Sequence, residues 1–199
     1  GGDFQNVGNV PTKRVAWFDG TAWHSMNFDL PTTSTWSPWL VELAEFQDRM
    51  YASVLPVGSD SRVWAWDGVS WTAQLSALRG TDLTVHGEEL VVSRDGRDSS
   101  VVTYVLRQNV WVPWIDVSGV RLISTGTRLI SISEGVSLQV RDAVTRQVLG
   151  SFNGWVSEIQ AIGDRVYAMG SFTTVNGIPA PGLALWDGTS WSAVTGTMP

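Results

Sequence analysis

His24 and His86 are the only imidazoles in the chain, and there is no cysteine. Thiolate nucleophiles, thiolate metal sites and disulfides are therefore excluded together. A Ser-His-Asp triad would have to recruit one of those two histidines. There is no Gly-x-Ser-x-Gly elbow to present such a serine and no glycine loop that would cradle phosphate. Carboxylates and indoles remain. Asp19, Asp67 and Asp187 each precede a glycine, Gly20, Gly68 and Gly188, and each is followed four places on by Trp23, Trp71 or Trp191. Such an acid could move protons, but its place before a turn glycine predicts a bond to its own backbone instead. The indoles could stack on pyranose rings. Their fixed phase predicts that Trp23, Trp66, Trp71, Trp186 and Trp191 pack between neighbouring sheets, each contributing about 1.5–3 kcal/mol by burial. The nearest approach to a calcium loop, Asp95-Gly96-Arg97-Asp98-Ser99, lacks the run of oxygen ligands that such a site needs.

The elements that hold these residues repeat. When the chain is set against itself so that Asp19 falls on Asp187, Phe4 falls on Phe172, Pro11 on Pro179, Ala16 on Ala184 and Trp23 on Trp191 without a gap. A third copy reads Trp66-Asp67-Gly68-Val69-Ser70-Trp71. Asp-Gly between two short apolar runs is a hairpin signal. A second reversal recurs at Gln47-Asp48, Gly87-Glu88, Gly126-Thr127 and Gly163-Asp164, at a spacing of about forty residues. Each unit therefore reads as a four-stranded antiparallel meander, tight turn, long loop, tight turn. The units are 1–26 (partial), 27–74, 75–115, 116–152 and 153–199, in a single region without a linker. Val41-Glu42-Leu43-Ala44-Glu45-Phe46 imitates a helix, but its phase within the repeat predicts a strand. The unit 116–152 is the least faithful, with Asp142-Ala143-Val144 as a degraded turn and both Trp lost.

These residues resemble the kelch and galactose-oxidase-type β-propeller repeats, in which an apolar strand ending in two glycines is followed by a strand with a Trp. Gly1-Gly2 and Met169-Gly170 are similar to the diglycine, and Trp23, Trp71, Trp111 and Trp191 to the repeat Trp. The Trp-Asp-Gly-x-Ser-Trp form resembles repeats of bacterial secreted propellers and fungal cell-surface polarity proteins. The resemblance implies an all-β β-propeller, here about four and a half blades of an incomplete ring. An open arc of that kind would expose the apolar faces of its end blades. The sialidase-type Asp box is absent, because the glycine and the aromatic residue follow the Asp too soon. Galactose-oxidase chemistry needs a Cys crosslinked to Tyr, so it is excluded for these residues, and no cofactor is expected.

Twelve Trp in 199 residues, many glycines and no helical periodicity agree with an all-β chain. A net charge of −6 and a single lysine, Lys13, with arginines scattered among acids, disfavour nucleic-acid binding. No apolar run is long enough for a membrane-spanning helix. The family resemblance and composition lead us to expect an extracellular or cell-surface protein, of bacterial type.

In such a meander the tight turns share one face and the long loops the other, and binding residues favour loops on a rigid scaffold. Trp36 and Trp39, in the Pro/Thr/Ser-rich connection 30–39, stand outside the hairpin Trp phase. With Phe28, Asp29 and Trp155 they are the candidate ligand-binding residues. The expected function is a non-catalytic module that binds a protein or glycan through the long-loop face. The rival is part of a secreted carbohydrate-active or oxidase-like propeller enzyme whose catalytic groups lie on other blades.

Overall fold

The computed structural model describes residues 1–28, 39–55, 61–78, 82–93, 103–115, 121–133 and 138–194. It is all-β, and no helix occurs among the described residues. The chain divides into two compact units, Gly1–Leu83 and Thr84–Pro199.

The first unit opens with two hairpins. β1 (Asn6–Val7) pairs with β2 (Val10–Pro11), and β3 (Ala16–Phe18) pairs with β4 (Trp23–Ser25). A four-stranded antiparallel meander follows, made of β5 (Trp39–Phe46), β6 (Arg49–Leu55), β7 (Ser61–Trp66) and β8 (Trp71–Leu78). The segment that imitates a helix lies within β5, where it pairs antiparallel with β6. Its core joins the back of β3–β4 to the front of the meander: Val15, Met26 and Phe28 pack with Ala52 and Val54, and Trp64, Trp66 and Trp71 lie against them.

The boundary between the units falls at the start of β9 (Leu83–His86), which begins a second meander with β10 (Glu89–Val92), β11 (Thr103–Arg107) and β12 (Val110–Ile115). A third contains β13 (Arg121–Ser124), β14 (Leu129–Ser133), β15 (Leu138–Asp142) and β16 (Val148–Phe152). The last contains β17 (Val156–Ile162), β18 (Arg165–Gly170), β21 (Leu183–Trp186) and β22 (Trp191–Ala193). Between β18 and β21 runs a small hairpin, β19 (Thr174–Val175) and β20 (Ile178–Pro179).

That hairpin leaves its own sheet and joins the one before, with Phe152 of β16 opposite Val175 of β19. Asn176 fastens the join. Its N–H donates to Ser151 O (2.9 Å), its side-chain amide donates to Leu149 O (3.1 Å), and its Oδ1 accepts from Ser151 N–H (2.8 Å). Asn153 grips the other side through Oδ1, which accepts from the N–H groups of Thr173 and Thr174. Beneath these bonds lies a continuous core of Ile130, Ile132, Val140 and Phe152 from one sheet and Val166, Ala168, Trp186 and Trp191 from the next. A second core in this unit joins Val91 and Val105 to Leu122, Leu129 and Ala143.

Candidate functional site

The three Asp-Gly turns are built alike. Their glycines sit at φ 97°, 101° and 103°, a region where a Cβ would strain the backbone. The strands they join place Phe18 opposite Trp23, Trp66 opposite Trp71 and Trp186 opposite Trp191. In each turn the Asp Oδ1 accepts two backbone N–H bonds from residues two and three places on: Thr21 and Ala22, Val69 and Ser70, Thr189 and Ser190. Thr21 and Thr189 add hydroxyl donors to the same oxygens. Donors aimed at a carboxylate favour its charged form. The Thr21 hydroxyl, then Ala22 N–H and His24, hold Asp19 well below the usual carboxylate range. Ser190 N–H, then the Thr189 hydroxyl, bring Asp187 down to about 2. Ser70 and Val69 N–H lower Asp67. Acids held this way are poor proton carriers near neutral pH. They serve as turn staples.

The least faithful repeat uses the same device in a wider loop. Asp142 Oδ1 accepts from Val144 and Thr145 N–H (3.1 and 2.7 Å), while Arg128 reaches Oδ2 at 3.2 Å. Burial would push this acid up, and the Thr145, Arg128 and Val144 bonds together outweigh it, so its pKa is lowered.

Neither histidine assembles a nucleophile. His24 Nε2 lies 2.7 Å from Asp19 Oδ2, and its ring stacks on Trp17 with centroids 4.4 Å apart. His86 Nδ1 lies 3.0 Å from Ser124 Oγ, but Ser124 gives its only hydroxyl proton to Thr125 O at 3.0 Å. The serine therefore accepts from the imidazole, the reverse of what activation requires. Among the described residues no three His, Asp or Glu side chains converge in a group able to hold a metal ion. The Asp95–Ser99 segment lies outside the described residues.

One concave feature of the first unit is an open groove of about 520 Å³ between the end of β4 and the β7–β8 hairpin. Indoles of Trp64, Trp66 and Trp71 line it, with Ser25, Asn27 and Ser70 at its polar edge. Trp71 is fixed by its Nε1–H, which donates to Met26 O at 2.7 Å. Phe28 meets Trp71 and Trp64 edge-on, at 4.5 and 5.9 Å between centroids. It is only 1% exposed, so it supports the indoles from behind.

Of the candidate residues chosen from sequence, Phe28 is among those lining this groove. Trp36 and Asp29 lie outside the described residues. Trp39 opens β5. Trp155 stands exposed between β16 and β17, and its carbonyl accepts from Ser171 N–H. Of the repeat Trp, Trp186 and Trp191 are each 3% exposed, and Trp111 is partly buried. Trp23 departs from the expected burial between sheets, since it is 45% exposed. Trp64 was legible as a period-two partner of Trp66 within one strand, and that spacing is the signal that finds the groove.

Compared with known proteins, the chain matches no family model and no curated sequence.

Proposed function

We propose that the chain is a kelch-like β-propeller module that binds a glycan without transforming it, taking a sugar ring into the groove beneath Trp64, Trp66 and Trp71. Support for the propeller comes from successive four-stranded meanders with tight turns in constant phase, and from indoles docked onto the preceding sheet at Trp71 and Trp191. Support for the ligand comes from one observation: three partly exposed indoles share a groove with an amide and two hydroxyls. Flat apolar faces suit the C–H faces of a pyranose, and neighbouring hydroxyls and amides suit its OH groups. The volume lies within the roughly 300–1,000 Å³ usual for small-ligand sites. Support for binding without turnover comes from the four turn acids, Asp19, Asp67, Asp142 and Asp187, whose carboxylates are committed to backbone donors.

An oligosaccharide array followed by calorimetry tests this reading. Trp66→Ala is expected to weaken the best binder by about tenfold or more, a loss of roughly 1.4 kcal/mol. Asn27→Ala, a polar change at the rim, is expected to weaken it less. Binding that survives Trp66→Ala but disappears in Trp36→Ala/Trp39→Ala would move the site to the long-loop face and overturn the groove assignment.

A further inference from the structure

The back wall of the groove depends on how the chain leaves β4, and that exit is strained. The β3–β4 register places Ala16 opposite Ser25. It continues past the strand ends, since Met26 N–H donates to Val15 O (3.1 Å) and Phe28 N–H donates to Lys13 O (2.9 Å). Arg14 therefore stands opposite Asn27. Both lie in the left-handed region, at φ 63° and φ 34°. Residues with a Cβ adopt that conformation at a cost, and surrounding contacts must hold it. The residues on the β4 side of this strained pair, Ser25, Met26, Asn27 and Phe28, all line the groove.

The backbone at Arg14 does not itself call for arginine. Gly182 holds the equivalent place in the last meander. Arg14 N–H donates to Phe4 O as Gly182 N–H does to Phe172 O, and Arg14 O accepts from Gly2 N–H as Gly182 O does from Gly170 N–H. Gly182 has φ 75°, which glycine adopts without steric penalty. What arginine adds is its side chain. Nη1 of Arg14 donates to Phe28 O at 3.3 Å. The residue is partly buried, and its Nε is buried with no hydrogen-bond partner among the described residues. A buried donor left without a partner is destabilising. Backbone and Nε thus both weigh against arginine here, and the bond to Phe28 is what it provides in return.

That bond completes the hold on Phe28, whose N–H is taken by Lys13 O and whose carbonyl is taken by Arg14. The Phe28 ring meets Trp71 and Trp64 edge-on, and Trp71 Nε1–H donates to Met26 O two residues earlier. We infer that Arg14 is a positioning residue of the groove: it anchors Phe28 O and, through the Phe28 ring and Met26 O, fixes the indoles of Trp64 and Trp71 before a ligand arrives. Arg14 is not among the lining residues and acts only through Phe28. Side chains held in place beforehand lose less freedom on binding, so the anchor adds affinity without adding a contact. Its effect on ligand rests on the glycan reading above, whereas the anchoring itself does not.

Arg14→Gly separates a role in the groove from a role in the fold, because it relieves the strain and removes the anchor together. Its urea midpoint is expected to be no lower than that of wild type. Amide exchange at Phe28 is expected to run about tenfold faster, and the Trp71 indole N–H resonance, assigned through Trp71→Phe, is expected to shift. Affinity for the best glycan of the array is expected to fall about tenfold by calorimetry. Arg14→Lys, which keeps a charged donor on a long stem, is expected to recover most of the Phe28 protection and of the affinity. Phe28 exchange and a Trp71 resonance unchanged in Arg14→Gly would overturn the inference. So would a urea midpoint below that of wild type, which would make Arg14 a support of the whole fold. If no glycan of the array binds wild type, the glycan reading fails alone, since the exchange and resonance measurements need no ligand and still decide the role of Arg14.

Discussion

Residues 2–26 and 170–194 are one sequence pattern in two settings. Their turns, Oδ1 staples and loop hairpins share the same pattern of backbone bonds, yet one front face is buried and the other is exposed. Local structure is therefore written in the segment itself, while burial is conferred by the sheet in front of it. The same indole is a core residue at Trp191 and a surface residue at Trp23. Its sequence neighbours are Asp, Gly and Thr in both places.

That contrast can be broken by paired substitutions. The largest effect is expected at the indoles: Trp191→Ala should lower stability by about 3–5 kcal/mol and Trp23→Ala by about 0.5 kcal/mol or less, read from urea unfolding at low protein concentration. Equal losses would show that the setting does not decide. Next come the glycines. A Cβ on Gly170 would lie 2.0 Å from Trp155 O and 2.8 Å from Val156 Cα, both backbone atoms, whereas on Gly2 its nearest neighbour is the Phe4 ring at 3.4 Å. Gly170→Ala is expected to cost about 2–3 kcal/mol and Gly2→Ala close to nothing. The smallest effect concerns the staples, which are shared by both settings and should respond alike. Asp187 is held at about 2 by Ser190 and Thr189, below its ordinary 3.8. A depressed carboxylate adds stability that is fully present above its ordinary value and is lost as pH falls towards the folded value. Melting temperature should fall as pH drops from about 4 towards 2, and Asp187→Asn should flatten that slope.

The regular part of the fold was legible because it rests on local chemistry. Asp-Gly and Gly-Asp reversals fixed where strands turn, so β5 was readable as a strand despite its helix-like spacing. The small hairpins β1–β2 and β19–β20 were not readable. Two-residue strands in a Gly/Asn-rich loop carry no period, and Val175 is buried only because β16 lies against it. The groove escaped for a related reason. Trp66 and Trp71 read as packing residues, and Phe28 as a binding residue. The first two do pack against the core and also stay partly exposed at the groove, while Phe28, which lines it too, is 1% exposed. Side-chain type sets what a residue can do, and the adjoining sheet sets whether solvent or a ligand can reach it.

The strand exchange at β16 and β19 also bears on how the molecule comes apart. A sheet that holds a piece of its successor cannot open along that edge until the successor yields, so amide exchange at Ser151 should report the opening of residues 173–176 as well as of its own strand. Under tension or heat the last two sheets would then let go as one cooperative body rather than in sequence.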